Sequence, residues 1–170
     1  MEKRNVTVSA IVAAIVLIGD QLSKHWAETW LRTNGEYKIW DGVLHLRYVE
    51  NRGAAFGMMQ GGKWFFLAIT GIACTAMLYF LIKERKRLHF MMTFSLALLL
   101  SGAIGNLIDR VALGYVRDMI YVALIDFAVF NVADMAVTVG CCLLVLDLLF
   151  FKGKKYMEMM DKKPQTGENS

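Results

Sequence analysis

The chain has 170 residues, 56% of them hydrophobic and 20% charged, with a single proline and a mean hydropathy of +0.43. That length suits one domain, and the composition lies on the apolar side of soluble proteins, which average roughly 45–50% apolar and about 25% charged residues. A largely disordered chain and a disulfide-built secreted module are both excluded. The net charge of +4 does not argue for nucleic acid, because the basic residues sit beside apolar stretches and so report on topology.

In chain order, Thr7–Gly19 is apolar, meets Asp20, and continues through Gln21, Leu22 and Ser23 to Lys24, His25 and Trp26. A helix needs about 20 residues to cross a hydrocarbon core of ~30 Å, so a first span is expected over about 7–26. The basic start at Met1–Asn5 is of the kind that precedes a cleaved leader. Three later spans, and the polar Asp20-Gln21 where an apolar run should finish, favour a retained helix. Next, Leu44, Leu46 and Tyr48 alternate with His45 and Arg47, while Gly35, Asp41-Gly42 and Gly61-Gly62 punctuate like turns. An outer β segment over about 36–60 follows.

Trp64–Ile82 and Phe90–Ile108 carry no charged residue and give a second and a third span, about 64–82 and 90–109. A second outer segment, a short loop or helix, covers 110–127. The fourth span, about 128–151, is interrupted by Asp134, runs uncharged from Met135 to Leu146, and passes Asp147. Residues 1–155 are expected to form one all-α membrane domain with four transmembrane helices and a small extracytoplasmic sheet. Residues 156–170 form a polar cytoplasmic tail. Cys74, Cys141 and Cys142 lie in apolar runs and are expected to be small buried hydrophobes, with no metal-site spacing near them.

Four spans place both termini on one side. With the 83–88 turn, that side carries eleven of the 19 lysines and arginines, so both termini are expected to be cytoplasmic. All four tryptophans, Trp26, Trp30, Trp40 and Trp64, then fall at or beyond the outer boundary, as an interfacial belt does.

Ionisable residues at membrane depth are costly and each needs a partner or a function. On this topology Asp20, Asp109, Asp118 and Asp134 converge from separate elements at the outer face, whereas Asp147 lies near the cytoplasmic end as a snorkelling or paired acid. Structural readings compete for each. Asp109 stands beside Arg110 as an ion pair, and Asp20 and Lys24 share a helical face at i, i+4. Asp134 is placed to cap the fourth helix, and Asp118 to be an exposed loop acid. His25, His45 and His89 are isolated, no His-Glu-x-x-His is present, and neither Ser23 with Lys24 nor Ser101 makes a nucleophile pair. Two carboxylates sharing a proton remain as a hydrolytic device, since like charges held close do not both ionise. A proton-coupled transporter using the acids as a relay is the alternative class, but Trp64–Ile82 and Met135–Leu146 offer no polar path across.

As a set, the polar residues resemble those of the lipoprotein signal peptidase (signal peptidase II) family. Asp20-Gln21-Leu22-Ser23-Lys24, Asn51-Arg52-Gly53-Ala54-Ala55-Phe56-Gly57, Gly102-Ala103-Ile104-Gly105-Asn106-Leu107-Ile108-Asp109-Arg110, Val116-Arg117-Asp118-Met119-Ile120 and Phe130-Asn131-Val132-Ala133-Asp134 occur in the family's order. Met119, where phenylalanine is common, is a mild departure. The resemblance implies an aspartic endopeptidase of the bacterial cytoplasmic (inner) membrane, acting near the outer face. It cuts a prolipoprotein just before a diacylglyceryl-modified cysteine, and needs no cofactor and no metal. It implies Asp118 and Asp134 as the catalytic dyad. Asn51, Gly53, Arg110 and Asn131 would line the site, and Asp20, Lys24, Asn106 and Asp109 would support it. Lipid-modified prolipoproteins, membrane lipids and globomycin-like inhibitors are the implied partners, and a monomer is the expected state.

Overall fold

The computed structural model describes residues 3–53, 62–84 and 87–151. Residues 54–60 of the expected outer β segment, with the Ala54-Ala55-Phe56-Gly57 part of the second motif, lie outside the described residues, as does the polar tail over 156–170. The described elements are helix α1 (Lys3–Trp26), strands β1 (Tyr37–Trp40) and β2 (Leu44–Asn51), helices α2 (Lys63–Lys83) and α3 (Phe90–Ala112), strand β3 (Val116–Val122) and helix α4 (Val132–Phe150). All four helices are long and apolar enough to cross a membrane. The expected fold class, a helical membrane protein carrying a small sheet, is the one observed.

Helix α1 does not stop at Trp26. A π-helical turn, Ala27–Leu31, and a last turn, Arg32–Asn34, carry it on to Gly35, whose positive φ of 83° ends it. The extension follows from burial: Ala27 and Leu31, almost wholly inaccessible, pack with Met119 beneath the sheet, flanked by Leu46, Tyr48 and Ile120. On the body of α1, Ile11, Ile15, Ile18 and Leu22 recur at spacings of four and three and stay exposed, a lipid-facing stripe. Trp26 and Trp30, one turn apart, stack at 5.6 Å where this face meets the sheet end.

Helix α3 is the central element and packs against the other three helices. Small residues set its distance from α4. A Cβ on Gly102 would lie 2.4 Å from the carbonyl oxygen of Ala133, and one on Gly140 would lie 2.9 Å from that of Ser95. At the end far from the sheet, Leu88, Met92 and Leu96 form a cluster with Met77, Phe80 and Leu81 of α2 and Leu144 and Leu148 of α4. There the buried Asp147 takes a 2.8 Å hydrogen bond from His89, so it is the paired acid of the two expected readings, and His89 is not isolated. The cysteines divide: Cys74 is buried as expected, whereas Cys141 and Cys142 are exposed free thiols on α4, facing where lipid would lie.

The sheet departs from expectation in one strand. Its order is β1-β2-β3, all antiparallel, so the third strand comes from the second outer segment, where a loop or helix was expected. Val116, Arg117, Asp118 and Met119 are buried consecutively. A strand covered on both faces has no alternation to read. Beyond it, the Phe130 carbonyl accepts the Met119 and Ile120 N–H groups and its own N–H donates to the Ile120 carbonyl, holding the approach to α4 against β3.

Candidate active site

Where α1, α3, α4 and the sheet meet, the chain buries Asp20, Lys24, Asp109, Asp118 and Asn131, each 1% exposed or less. Such groups are tolerated only when paired and hydrogen-bonded. They fall into two sets.

The first set is a charge network. Lys24 Nζ lies 2.8 Å from Asp20 Oδ2, the expected i, i+4 pair, and 3.5 Å from Asp109 Oδ2. Asp20 Oδ1 also accepts the Ala133 backbone N–H at 2.9 Å, tying α1 to the first turn of α4. Asp109 does not pair with its neighbour Arg110. Its carboxylate receives two side-chain bonds from Arg117, at 2.7 and 3.2 Å, and the Arg117 backbone N–H at 2.9 Å. Consecutive helical residues diverge, whereas Arg117 returns after the turn at Gly114, where φ is 87°. Arg117 also reaches Glu28 at 2.9 Å and Gln21 at 3.2 Å. Burial would lower its pKa, but Asp109 and Glu28 outweigh that and hold the guanidinium above its ordinary value.

The second set lies in a cavity of about 580 Å³ lined by Asn51, Gly53, Asn106, Arg110, Val116, Asp118, Phe127, Phe130 and Asp134, among others. Here carboxylates meet neutral amides. Asp118 accepts from Asn51 Nδ2 at 3.0 Å and from Asn131 Nδ2 at 2.6 Å. Asp134 accepts from Asn106 Nδ2 at 2.8 Å and from the Asn131 backbone N–H at 3.1 Å. Asn131 caps α4: its Oδ1 accepts the Asp134 N–H at 2.9 Å, closing a reciprocal capping box. Asp134 thus caps the helix and faces the cavity at once. Asp118 is not an exposed loop acid. Burial pushes its carboxyl up to about 7, the charge of Asp134 adds to the rise, and the bonds from Asn51 and Asn131 oppose it. Arg110 extends along the cavity over the Phe66 ring, 5.1 Å from its centroid, towards the carbonyl of Gly53 at 3.5 Å.

A larger, apolar cavity of about 950 Å³ lies between α1, α3 and the end of α2, and among the described residues no charged side chain lines it. Among the described residues no group of histidine, cysteine and carboxylate side chains could hold a metal ion. The ten residues that the resemblance implies for the site gather at one end of the bundle.

The sequence profile of the "Signal peptidase (SPase) II" family matches residues 12–150. The chain belongs to the signal peptidase II family. It is 46% identical over 142 residues to the lipoprotein signal peptidase of Streptococcus thermophilus (strain CNRZ 1066), covering 83% of this chain and 92% of that one. Against the lipoprotein signal peptidase of Clostridioides difficile (strain 630) it is 43% identical over 145 residues, 85% of this chain and 97% of that one. Two solved structures, each described as a bacterial membrane enzyme, superpose with TM-scores of 0.78 and 0.76 at 33% and 35% identity. The first covers 95% of both chains, the second 85% of this chain and 94% of its own. With four apolar helices, this member of the signal peptidase II family is a multi-pass membrane peptidase.

Three site residues of this signal peptidase II chain escaped sequence reasoning: Arg117, Glu28 and Gln21. Arg117 and Gln21 each stand in one of the five motifs, but the partners of Arg117 lie 8, 89 and 96 positions away, beyond any periodicity.

Proposed function

We propose that this chain is an aspartic endopeptidase that removes the signal peptide from diacylglyceryl-modified prolipoproteins, cutting just before the lipid-bearing cysteine. The observation that carries the reading is the pair of carboxylates, Asp118 and Asp134, in one cavity, joined by Asn131 and held by neutral donors. An acid bound to a cation is fixed as an anion, whereas one bound to amides in a buried site can carry a proton.

In the proposed reaction one carboxylate is ionised and takes a proton from water, whose oxygen bonds to the scissile carbonyl carbon. The other is protonated and hydrogen-bonds the carbonyl oxygen as charge develops there. Collapse of the tetrahedral species breaks the C–N bond as a proton passes to the cysteine nitrogen. Asn51, Gly53, Arg110 and Asn131 orient the peptide, and Asp20, Lys24, Asn106 and Asp109 hold the frame. The chain sits in the bacterial cytoplasmic membrane with both termini cytoplasmic, so the dyad opens near the outer face. Acyl chains on the cysteine add anchoring of about 0.8 kcal/mol per buried CH₂. A globomycin-like inhibitor would occupy the same cavity, and a monomer suffices.

The test is to incubate the purified protein with a lipid-modified precursor and to look for the released signal peptide. The parent is expected to release it, and Asp118→Asn and Asp134→Asn are not. Retained cleavage by either folded variant overturns the reading. Reporters fused near residue 45 or 114 are expected to read external, and those in the 83–88 turn or at residue 170 cytoplasmic.

A further inference from the structure

The two carboxylates of the cavity are not equivalent. Asp118 is 1% exposed and sits on a strand, where no backbone dipole favours its charge. Of the cations near it, Arg117 is committed to Asp109, Glu28 and Gln21, Lys24 is paired with Asp20 and Asp109, and Arg110 lies along the cavity that both carboxylates share. Asp134 is partly exposed to the cavity and stands at the third position of α4, where the positive end of the helix dipole and a backbone N–H favour an anion.

The amide facing Asp134 has its orientation imposed. Asn106 Oδ1 accepts from Lys24 Nζ at 2.8 Å and from Asn131 Nδ2 at 3.1 Å. Its Nδ2 has therefore to face Asp134 Oδ1 as a donor. Through this carboxamide a fully buried ammonium group acts on Asp134 without touching it. Asn51 is fixed likewise, since its Oδ1 accepts the Gly53 N–H at 3.0 Å, so its Nδ2 donates to Asp118. The charged groups around Asp134 are Asp118 on β3, Asp109 and Arg110 on α3, and Asp20 and Lys24 on α1. Asp20, Lys24, Asp109 and Arg117 compensate one another, and Arg110 faces the cavity.

From this asymmetry we infer an order within the dyad: Asp134 is the ionised member that takes the proton from water, Asp118 holds the shared proton, and Asn106 and Asn51 are positioning residues that tune one carboxylate each. The inference rests on the aspartic reading above and goes beyond it by giving each acid one role. It places water on the cavity-facing side of Asp134 and the scissile carbonyl oxygen beside Asp118.

The pH profile of kcat/KM for cleavage of a lipid-modified precursor tests it. The acidic limb reports the base, which must be ionised, and the alkaline limb the acid, which must be protonated. Removing a donor from a carboxylate raises its pKa. Asn106→Ala is therefore expected to move the acidic limb up by about one pH unit and leave the alkaline limb in place. Asn51→Ala is expected to move the alkaline limb up and leave the acidic one. The opposite pattern reverses the roles and overturns the proposal. A fall in rate with neither limb displaced overturns it too, because it makes both amides merely structural. Each variant decides alone, so one that fails to fold leaves the other. Failure of the aspartic reading itself would look different: cleavage would then survive Asp118→Asn or Asp134→Asn.

Discussion

Asp20 and Asp109 on one side, Asp118 and Asp134 on the other, occupy the same end of the same bundle. Their surroundings nonetheless prepare them for opposite tasks. The first two are bound to the cations Lys24 and Arg117, at 2.8 and 2.7 Å. Among the described residues the second two accept only from amides, three of them asparagine side chains and one a backbone N–H. Burial alone does not mark a reactive carboxylate; the charge of its hydrogen-bond partner does.

The largest expected break between the two sets is in turnover. Asp118→Asn and Asp134→Asn are each expected to abolish cleavage of a lipid-modified precursor while keeping folded yield near that of the parent. Asp109→Asn and Asp20→Asn are expected to do the reverse. Each leaves a buried cation short of an anion, which costs about 3–5 kcal/mol, so yield and melting temperature fall while the recovered protein still cleaves. Melting curves and turnover of all four variants in one detergent check this. If Asp109→Asn were stable but inactive and Asp118→Asn active, the two sets would have to be exchanged.

A smaller effect tests the frame that holds the sets together. Gly102→Ala puts a methyl group 2.4 Å from the Ala133 carbonyl oxygen, beside Asp20's bond to that residue. Helices α3 and α4 must part, with an overpacking cost of about 1–3 kcal/mol and reduced turnover. Gly71→Ala in α2 meets nothing within 4 Å and is expected to be neutral or slightly stabilising. Equal melting temperatures for the two variants would remove close helix approach as the reason for Gly102.

The sequence makes some of this comparison legible. The four spans follow from length and hydropathy, and the Asp20–Lys24 pair from its spacing on one helix face. What stays hidden depends on returns of the chain. Adjacency suggests Arg110 for Asp109, but the partner is Arg117, brought back by a turn and a strand. That strand carries no alternating pattern because both its faces are covered. His89 and Asp147 meet across 58 positions, from the start of one helix to the end of another. Periodicity within an element is readable from residues; pairing between elements is a property of packing. The motif set compensates in part, since five motifs in order bring together residues that no local rule connects.

The smallest expected effect isolates Asp118 by its response to pH. Its carboxyl is pushed up to about 7 by burial and by the charge of Asp134, whereas in the unfolded chain an aspartate titrates near 3.9. A raised carboxyl pKa contributes stability that is fully present below the unfolded value and is lost as pH rises through the folded one. The parent therefore gives up this contribution between about pH 4 and pH 7, and Asp118→Asn, which has no proton to lose there, does not. The difference in melting temperature between the two is expected to move in favour of Asp118→Asn across that window and then level off. Asp109→Asn is expected to lack this drift, because the carboxylate it replaces is bound to the cations Lys24 and Arg117 and not to neutral amides. Thermal melts at pH 4, 5.5, 7 and 8 in one detergent would measure it. A flat difference for Asp118→Asn would mean that its carboxyl is already ionised at pH 4, and the contrast between the two pairs of acids would fail there.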